Sequence, residues 1–185
     1  MSEPTFYTAD THFFHANIIK YCNRPYKDPQ EMNEAIIANW NAKVPQEGIV
    51  YHLGDFSFGS ADDALRIRQR LNGKICLIRG NHEKPALTAH HFHPRMFEWV
   101  KDVYTVRVGK QSIFLSHYAH RVWDKSHHGV YHLYGHSHGT LPDLNDSLSF
   151  DVGVDCHNYT PLSFEEVTSI MNKKNWKPQD HHGSK

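Results

Sequence analysis

Apolar and polar positions along this chain fall into short strand-like runs that alternate with helical ones, and the change of period marks each boundary. Thr5-Phe6-Tyr7-Thr8 is β-branched and aromatic and leads directly into Asp10. Ile18, Ile19 and Tyr21 have helical spacing before Arg24-Pro25 ends the segment. Asp28-Pro29-Gln30-Glu31 then reads as a capping box with proline in the first turn, which predicts a helix over Pro29–Lys43. Ile49 to Leu53 is a second strand that ends at Gly54-Asp55. Ser60 with Asp63 caps a helix carrying Ala64, Leu65, Ile67 and Leu71, and Asn72-Gly73 stops it. A third strand, Ile75 to Ile78, ends at Arg79-Gly80-Asn81-His82.

This βαβαβ opening predicts parallel strands with a site along their carboxyl edge. The second half changes character. Val103–Val108 and Ser112–Leu115 flank Gly109-Lys110 as an antiparallel hairpin whose return strand ends at Ser116-His117. Tyr131–Tyr134 is a strand ending at Gly135-His136, Phe150–Val154 is another, and Ser163 with Glu166 opens a last helix to about Asn172. The expected fold class is α/β, a sandwich of two mixed sheets packed face to face with flanking helices, their loops converging at one edge. No repeat or linker divides it, so residues 1–172 read as a single domain and residues 173–185 as a polar, flexible tail.

Composition narrows the chemistry. Among 185 residues, 20 Lys and Arg balance 20 Asp and Glu, so no overall positive field draws the chain to nucleic acid or an acidic membrane. The three cysteines, Cys22, Cys76 and Cys156, are scattered and odd in number, which fits a reducing cytosol. Neither a basic leader nor a bilayer-length apolar window is present, and a cytoplasmic protein without membrane contact is expected. Histidine is the outlier at 17 residues. The clusters at His90, His91 and His93, at His127, His128 and His132, and at His181 and His182 read as solvated loops or tail rather than metal sites.

The informative histidines lie elsewhere. Asp10, His12, Asp55, Asn81, His117, His136 and His138 all fall where a strand runs into a loop, and their oxygen and imidazole donors form the mixed set that holds paired divalent first-row metals. Singly, Asp10 reads as a cap, Asp55 as an Asx turn and His117 as a satisfied core histidine. Jointly, five strand ends would have to coincide. Asp55 is the natural bridge, because a carboxylate has two oxygens. Glycine before Asp55, Asn81 and His136 permits a tight backbone path. The reaction indicated is hydrolysis of a phosphate ester, in which two metals about 3.5–4 Å apart acidify a bridging water and clamp the phosphoryl oxygens. Two divalent ions, two carboxylates and one hydroxide leave a single net positive charge, which a phosphodiester neutralises.

The ordered series Asp10-x-His12, Gly54-Asp55, Gly80-Asn81-His82-Glu83, a lone His117 and Gly135-His136-x-His138 resembles that of the calcineurin-like metallophosphoesterases, in a compact microbial or phage branch. The resemblance implies a four-layer αββα fold and a dinuclear centre. Asp10, His12, Asp55 and His138 would hold one ion, and Asp55, Asn81, His117 and His136 the other. It also implies that His82 protonates the leaving group, with Glu83, where the family often has aspartate, orienting its ring. Mn²⁺ is favoured as the metal, with Fe, Ni, Co or Zn as alternatives. The expected function is a dinuclear-metal phosphoesterase in which a metal-bridging hydroxide attacks phosphorus, acting on phosphodiesters, including nucleotides or nucleic acid. A phosphomonoesterase and a non-catalytic, metal-bound scaffold are the alternatives.

Residues outside the motifs are candidates for substrate contact. Asn17 and His15 follow the first ligands, and Arg24 is a phosphoryl stabiliser or else pairs with a carboxylate. The aromatic and basic segment Tyr118, His120, Arg121, Trp123, Lys125, His127 and His128 lies between two ligand motifs, with Tyr118 and Arg121 placed to stack on a base and contact phosphate. Asp151, Asp155 and His157 follow the last ligands and are candidates to support them.

Overall fold

The computed structural model describes residues 3–178. β1 (Thr5–Thr8), β2 (Ile49–His52), β3 (Lys74–Ile78) and β4 (Trp99–Lys101) lie side by side and parallel. A second sheet follows, in which β5 (Val103–Val108) and β6 (Gln111–Ser116) form the expected hairpin, and β7 (Tyr131–Tyr134) and β8 (Ser149–Asp151) continue parallel to β6. β9 (Leu162–Ser163) returns to the first sheet, antiparallel to β1, giving the orders β4-β3-β2-β1-β9 and β5-β6-β7-β8.

Register sorts the core into two compartments. Phe6, Val50 and Ile75 form one cross-strand row, and Tyr7, Tyr51 and Cys76 form the next. Because side chains alternate, the first row faces helices and the second faces the other sheet. On the helical side, α1 (Ala16–Tyr21) contributes Ile18, and α2 (Pro29–Lys43), α3 (Ala61–Arg70) and α4 (Lys84–Phe92) contribute Met32, Ile36 and Trp40, Ala64 and Ile67, and Ala86 and Ala89. Trp40 is fully buried, with its indole N–H on the Asn72 carbonyl at 3.0 Å. Removing such a ring costs about 3–5 kcal/mol. Between the sheets, Tyr7, Tyr51, Leu53 and Ile78 meet Ile113, Leu115, Leu133 and Phe150, and α5 (Phe164–Met171) adds Val167 and Met171. Outside the second sheet, the segment from 118 to 130 supplies the covering layer, with the Trp123 and His120 rings on His132.

Helix starts follow the sequence signals. Asp28 accepts from the Glu31 N–H at 2.9 Å, although Glu31 reaches back to Lys27 rather than closing the box on Asp28. Ser60 with Asp63 and Ser163 with Glu166 make complete capping boxes. The expected tail is held as far as it is described: the Lys174 ammonium donates to Asp143 and to the Leu144 and Ser149 carbonyls, and Trp176 packs against the inter-sheet core. The rest of that segment, with His181 and His182, lies outside the described residues. Among the described residues no helix is long and apolar enough to cross a membrane.

What matters for the site is how the strand ends meet. The loops after β1 and β2 are zipped together by Asp10 N–H to Gly54 O (2.9 Å), His12 N–H to Asp55 O (3.0 Å) and Phe13 N–H to Phe56 O (3.1 Å). The sheets join where Ala9 bridges Gly153 and where His117 Nδ1 meets the Leu53 carbonyl at 2.8 Å, and within the second sheet the Gly135 N–H donates to the His117 carbonyl at 3.0 Å. All five motif loops therefore share one edge.

Candidate metal centre

The seven motif donors, drawn from both sheets, converge there. Asp10, His12 and His138 bring ligand atoms within 4.8 Å of one another, as do Asp55, His117 and His136. Asp55 stands between the two groups, its Oδ2 3.5 Å from His12 Nε2 and 3.7 Å from His117 Nε2. Asn81 Oδ1 joins the second group, 2.9 Å from His117 Nε2 and 3.0 Å from His136 Nδ1. His82 stands exposed at the rim, its backbone N–H on Asp55 Oδ1 at 2.8 Å.

The backbone here is unusual. Asp10, His12, Asp55, His136 and His138 all have positive φ, between 47° and 68°. For residues with a Cβ this left-handed conformation costs about 1 kcal/mol or more each, and it is tolerated where surrounding bonds over-determine it. The Asp10 carboxylate accepts the His136 N–H at 2.8 Å, so one ligand's side chain fixes another's backbone. Gly80 is required by proximity, because a Cβ there would stand about 2.5 Å from the Asp55 amide nitrogen and collide with its carboxylate.

The donor set fits cations. Asp10 Oδ1 and His12 Nε2 are buried without hydrogen-bond partners, a costly state unless another group satisfies them. Burial, with Asp151 and Asp55 beside it, drives the Asp10 carboxyl well above the usual carboxylate range. Burial also pushes His12 far down, which keeps its imidazole a neutral lone-pair donor. His117 Nδ1 is 2.8 Å from the Leu53 carbonyl, which can only accept, so the proton is assigned to Nδ1 and the lone pair to Nε2. Lone pairs of His117, Asn81 and Asp55 then face one another, which is repulsive until a positive charge lies between them. A third group, Cys22, His138 and Asp155, also clusters. Burial pushes its thiol up to about 11, and Asp155 is already committed.

That commitment decides between the two readings of Arg24 in favour of a carboxylate partner, here a buried one. Its guanidinium is fully buried and donates from Nε and Nη2 to the two Asp155 oxygens, both at 2.8 Å, from Nη2 to the Asp10 carbonyl at 2.8 Å, and from Nη1 to the Thr11 carbonyl at 3.0 Å and Met32 Sδ at 3.3 Å. All five N–H donors are used inside the protein, leaving none for phosphate. Asp155 in turn takes His138 Nδ1 at 2.7 Å. Burial alone would raise the Asp155 carboxyl, but the bonds from His138 and Arg24 hold it below the usual range. Arg24 thus locks the first ligand loop to the carboxylate that orients His138. Asp151 shapes the same region by accepting the Gly153 and Gly139 N–H groups at 2.7 and 3.1 Å, and its carbonyl meets His157 Nε2 at 2.8 Å.

Glu83 needs a correction. Its Oε1 accepts the Phe56 N–H at 2.8 Å and its Oε2 has no partner, so it clamps the β2 loop and does not orient the His82 ring. Burial pushes its carboxyl up to about 8, against the Phe56 N–H, which favours the anion.

The substrate-contact candidates separate. Tyr118 borders the centre, with its ring 4.6 Å from His136 and 5.0 Å from His117. Asn17 lines the cleft of about 580 Å³ that opens over the ligands. Arg121 does not line that cleft; with His120 it borders a different cavity of about 570 Å³ beside Leu141 and Leu144. Trp123 is buried, its indole N–H on the Val130 carbonyl at 2.9 Å. The sequence reading missed Phe58 and Tyr21, which wall the cleft with His15. An aromatic two residues after the buried Phe56, on the loop that carries Asp55, was the available signal.

No family model matches the chain. It is 34% identical over 172 residues to the uncharacterized protein MJ1445 of Methanocaldococcus jannaschii, a match that covers 89% of each chain. Among solved structures, it is similar to the protein of unknown function AQ665 from Aquifex aeolicus, with a TM-score of 0.69, 22% identity and 91% and 100% of the two chains covered. A looser likeness, with a TM-score of 0.42, 19% identity and coverage of 81% and 78%, is to the E. coli phosphoesterase YfcE.

Proposed function

Because the chain belongs to one family with the M. jannaschii protein and carries an ordered motif series resembling that of the calcineurin-like metallophosphoesterases, we propose that it is a metal-dependent phosphoesterase with a dinuclear centre, acting on phosphodiesters. The observation that carries this reading is the pair of ligand groups joined through Asp55 Oδ2, with unpartnered Asp10 and His12 atoms turned into the same space. Asp10, His12, Asp55 and His138 would hold one ion, and Asp55, Asn81, His117 and His136 the other. Once bound, such a pair supplies an acidified water as nucleophile and positive charge for the phosphoryl oxygens.

The chain's own groups do the rest. Asp55 and Asp10 offset part of the metal charge, so the site favours an anionic ester without trapping the product. His82, at the open rim beside Asn81, is positioned to protonate the departing alkoxide. Its backbone N–H on Asp55 ties the acid to the centre. Glu83 holds the Asp55 loop against the His82 loop through Phe56. No serine or cysteine nucleophile is involved. The diester preference follows from the weak net charge and from an acid able to assist a poor leaving group.

Metal-stripped protein reloaded with Mn²⁺ should hydrolyse a nitrophenyl phosphodiester faster than the monoester. His82→Ala should lose most turnover while retaining its metal. Faster monoester turnover would point to a phosphatase, and inertness towards both esters would favour a scaffold.

A further inference from the structure

Two recesses meet at His82. The larger is the cleft of about 580 Å³ over the ligands, and the smaller, about 250 Å³, is lined by Phe58, Asn81, His82, Lys84 and Pro85. Phe58, Asn81 and His82 border both. A phosphorus atom seated beside His82 thus has room for two diverging ester arms, which a monoester does not need.

The larger recess has a flat aromatic wall. Phe58 lies face to face on His15, with ring centroids 3.9 Å apart and planes 7° apart, and Tyr21 stands edge-on to the same imidazole at 6.4 Å. Phe58 and Tyr21 are 46% and 72% exposed, whereas Phe56 is completely buried. The fold gains little core from these two rings, and exposed aromatic surface beside a cleft marks a contact for something else. Asn17 and Ser137 line the same recess. Hydrogen-bonding groups beside a planar π surface suit the edge and face of a heteroaromatic ring, whereas an aliphatic chain would leave them unpaired.

We propose that this recess is a nucleobase subsite, in which the base of a nucleotide diester stacks on Phe58 backed by His15, with Tyr21 as the outer boundary. The proposal rests on the phosphoesterase reading for its placement of phosphorus, and its test separates the two. The Mn²⁺-loaded protein is assayed on thymidine 5′-(4-nitrophenyl) phosphate and on methyl 4-nitrophenyl phosphate, which share a leaving group and differ in the base-bearing arm. One stacked base is worth roughly 5- to 150-fold. The wild-type ratio of kcat/KM should therefore exceed about fivefold for the nucleotide, fall to within about twofold in Phe58→Leu, and survive in Phe58→Trp. Independently of turnover, saturation-transfer NMR should detect thymidine on the metal-stripped wild type and Phe58→Trp proteins but not on Phe58→Leu. A wild-type ratio near one, or a ratio and thymidine signal that Phe58→Leu leaves in place, overturns the subsite. If neither ester is hydrolysed, the phosphoesterase reading fails, and thymidine binding alone then decides the subsite.

Discussion

Replacing Arg24 tests whether the first ligand loop is held from behind. In Arg24→Ala, Asp155 loses a two-pronged buried ion pair and the Asp10 and Thr11 carbonyls lose their donors. Breaking a buried pair costs about 3–5 kcal/mol, and each orphaned carbonyl adds about 1 kcal/mol. The sum, about 5–7 kcal/mol, is comparable to the whole stability of many domains, so this variant should fail to accumulate folded. Arg24→Lys is the informative change. It keeps one charge and three donors but cannot present a planar fork to Asp155, and it should cost about 2 kcal/mol in urea unfolding. Because Asp155 orients His138, Mn²⁺ affinity measured by calorimetry should also fall, by about tenfold or more. The opposite pattern would refute the reasoning: unchanged stability and metal affinity with a raised KM for diester would mean that Arg24 reaches substrate.

Other groups give separate checks. Burial holds the His132 imidazole down, to about 3, while the unfolded imidazole takes a proton near 6.5, so stability present above pH 6.5 is lost as pH falls through that window. The slope due to His132 is at most about 1.4 kcal/mol per pH unit, and His132→Gln should flatten the pH dependence of urea unfolding between about pH 6 and pH 4; unchanged slopes would contradict this. Gly80→Ala should abolish metal binding by displacing Asp55, and retention of metal in elemental analysis would show that the loop can yield. Glu83→Gln keeps an oxygen for the Phe56 N–H and should hold stability within about 1 kcal/mol, whereas Glu83→Ala should lose about 2 kcal/mol. Activity lost in Glu83→Gln with stability intact would restore a direct role at His82.

The pattern of residues made some parts of this molecule readable and hid others. β1, β7 and α2 were legible to the residue because period, proline and cap agree there. α4 was not: no side chain caps it and its buried positions are alanines, so little contrast marks its inner face beyond Pro85 in the first turn. β4 and β9, three and two residues long, are too short for any period to show and exist through their neighbours. The convergence of the seven motif donors was legible because their chemistry is carried by residue type in a fixed order. The surrounding roles were not, because they depend on where donors are spent. Arg24 looks like a phosphate binder until all five of its N–H groups are found inside, and Glu83 like an orienter of His82 until Phe56 claims it. Phe56 and Phe58 are the same residue type two positions apart, and only the fold buries one and leaves the other at the cleft.

The proposed function rests on a pair of ions sharing Asp55. Titration of metal-stripped protein with Mn²⁺, followed by calorimetry and electron paramagnetic resonance, measures it directly. Two ions per chain are expected, magnetically coupled, with both affinities lowered in Asp55→Asn. One ion per chain, or two uncoupled ions of which Asp55→Asn weakens only one, would contradict it.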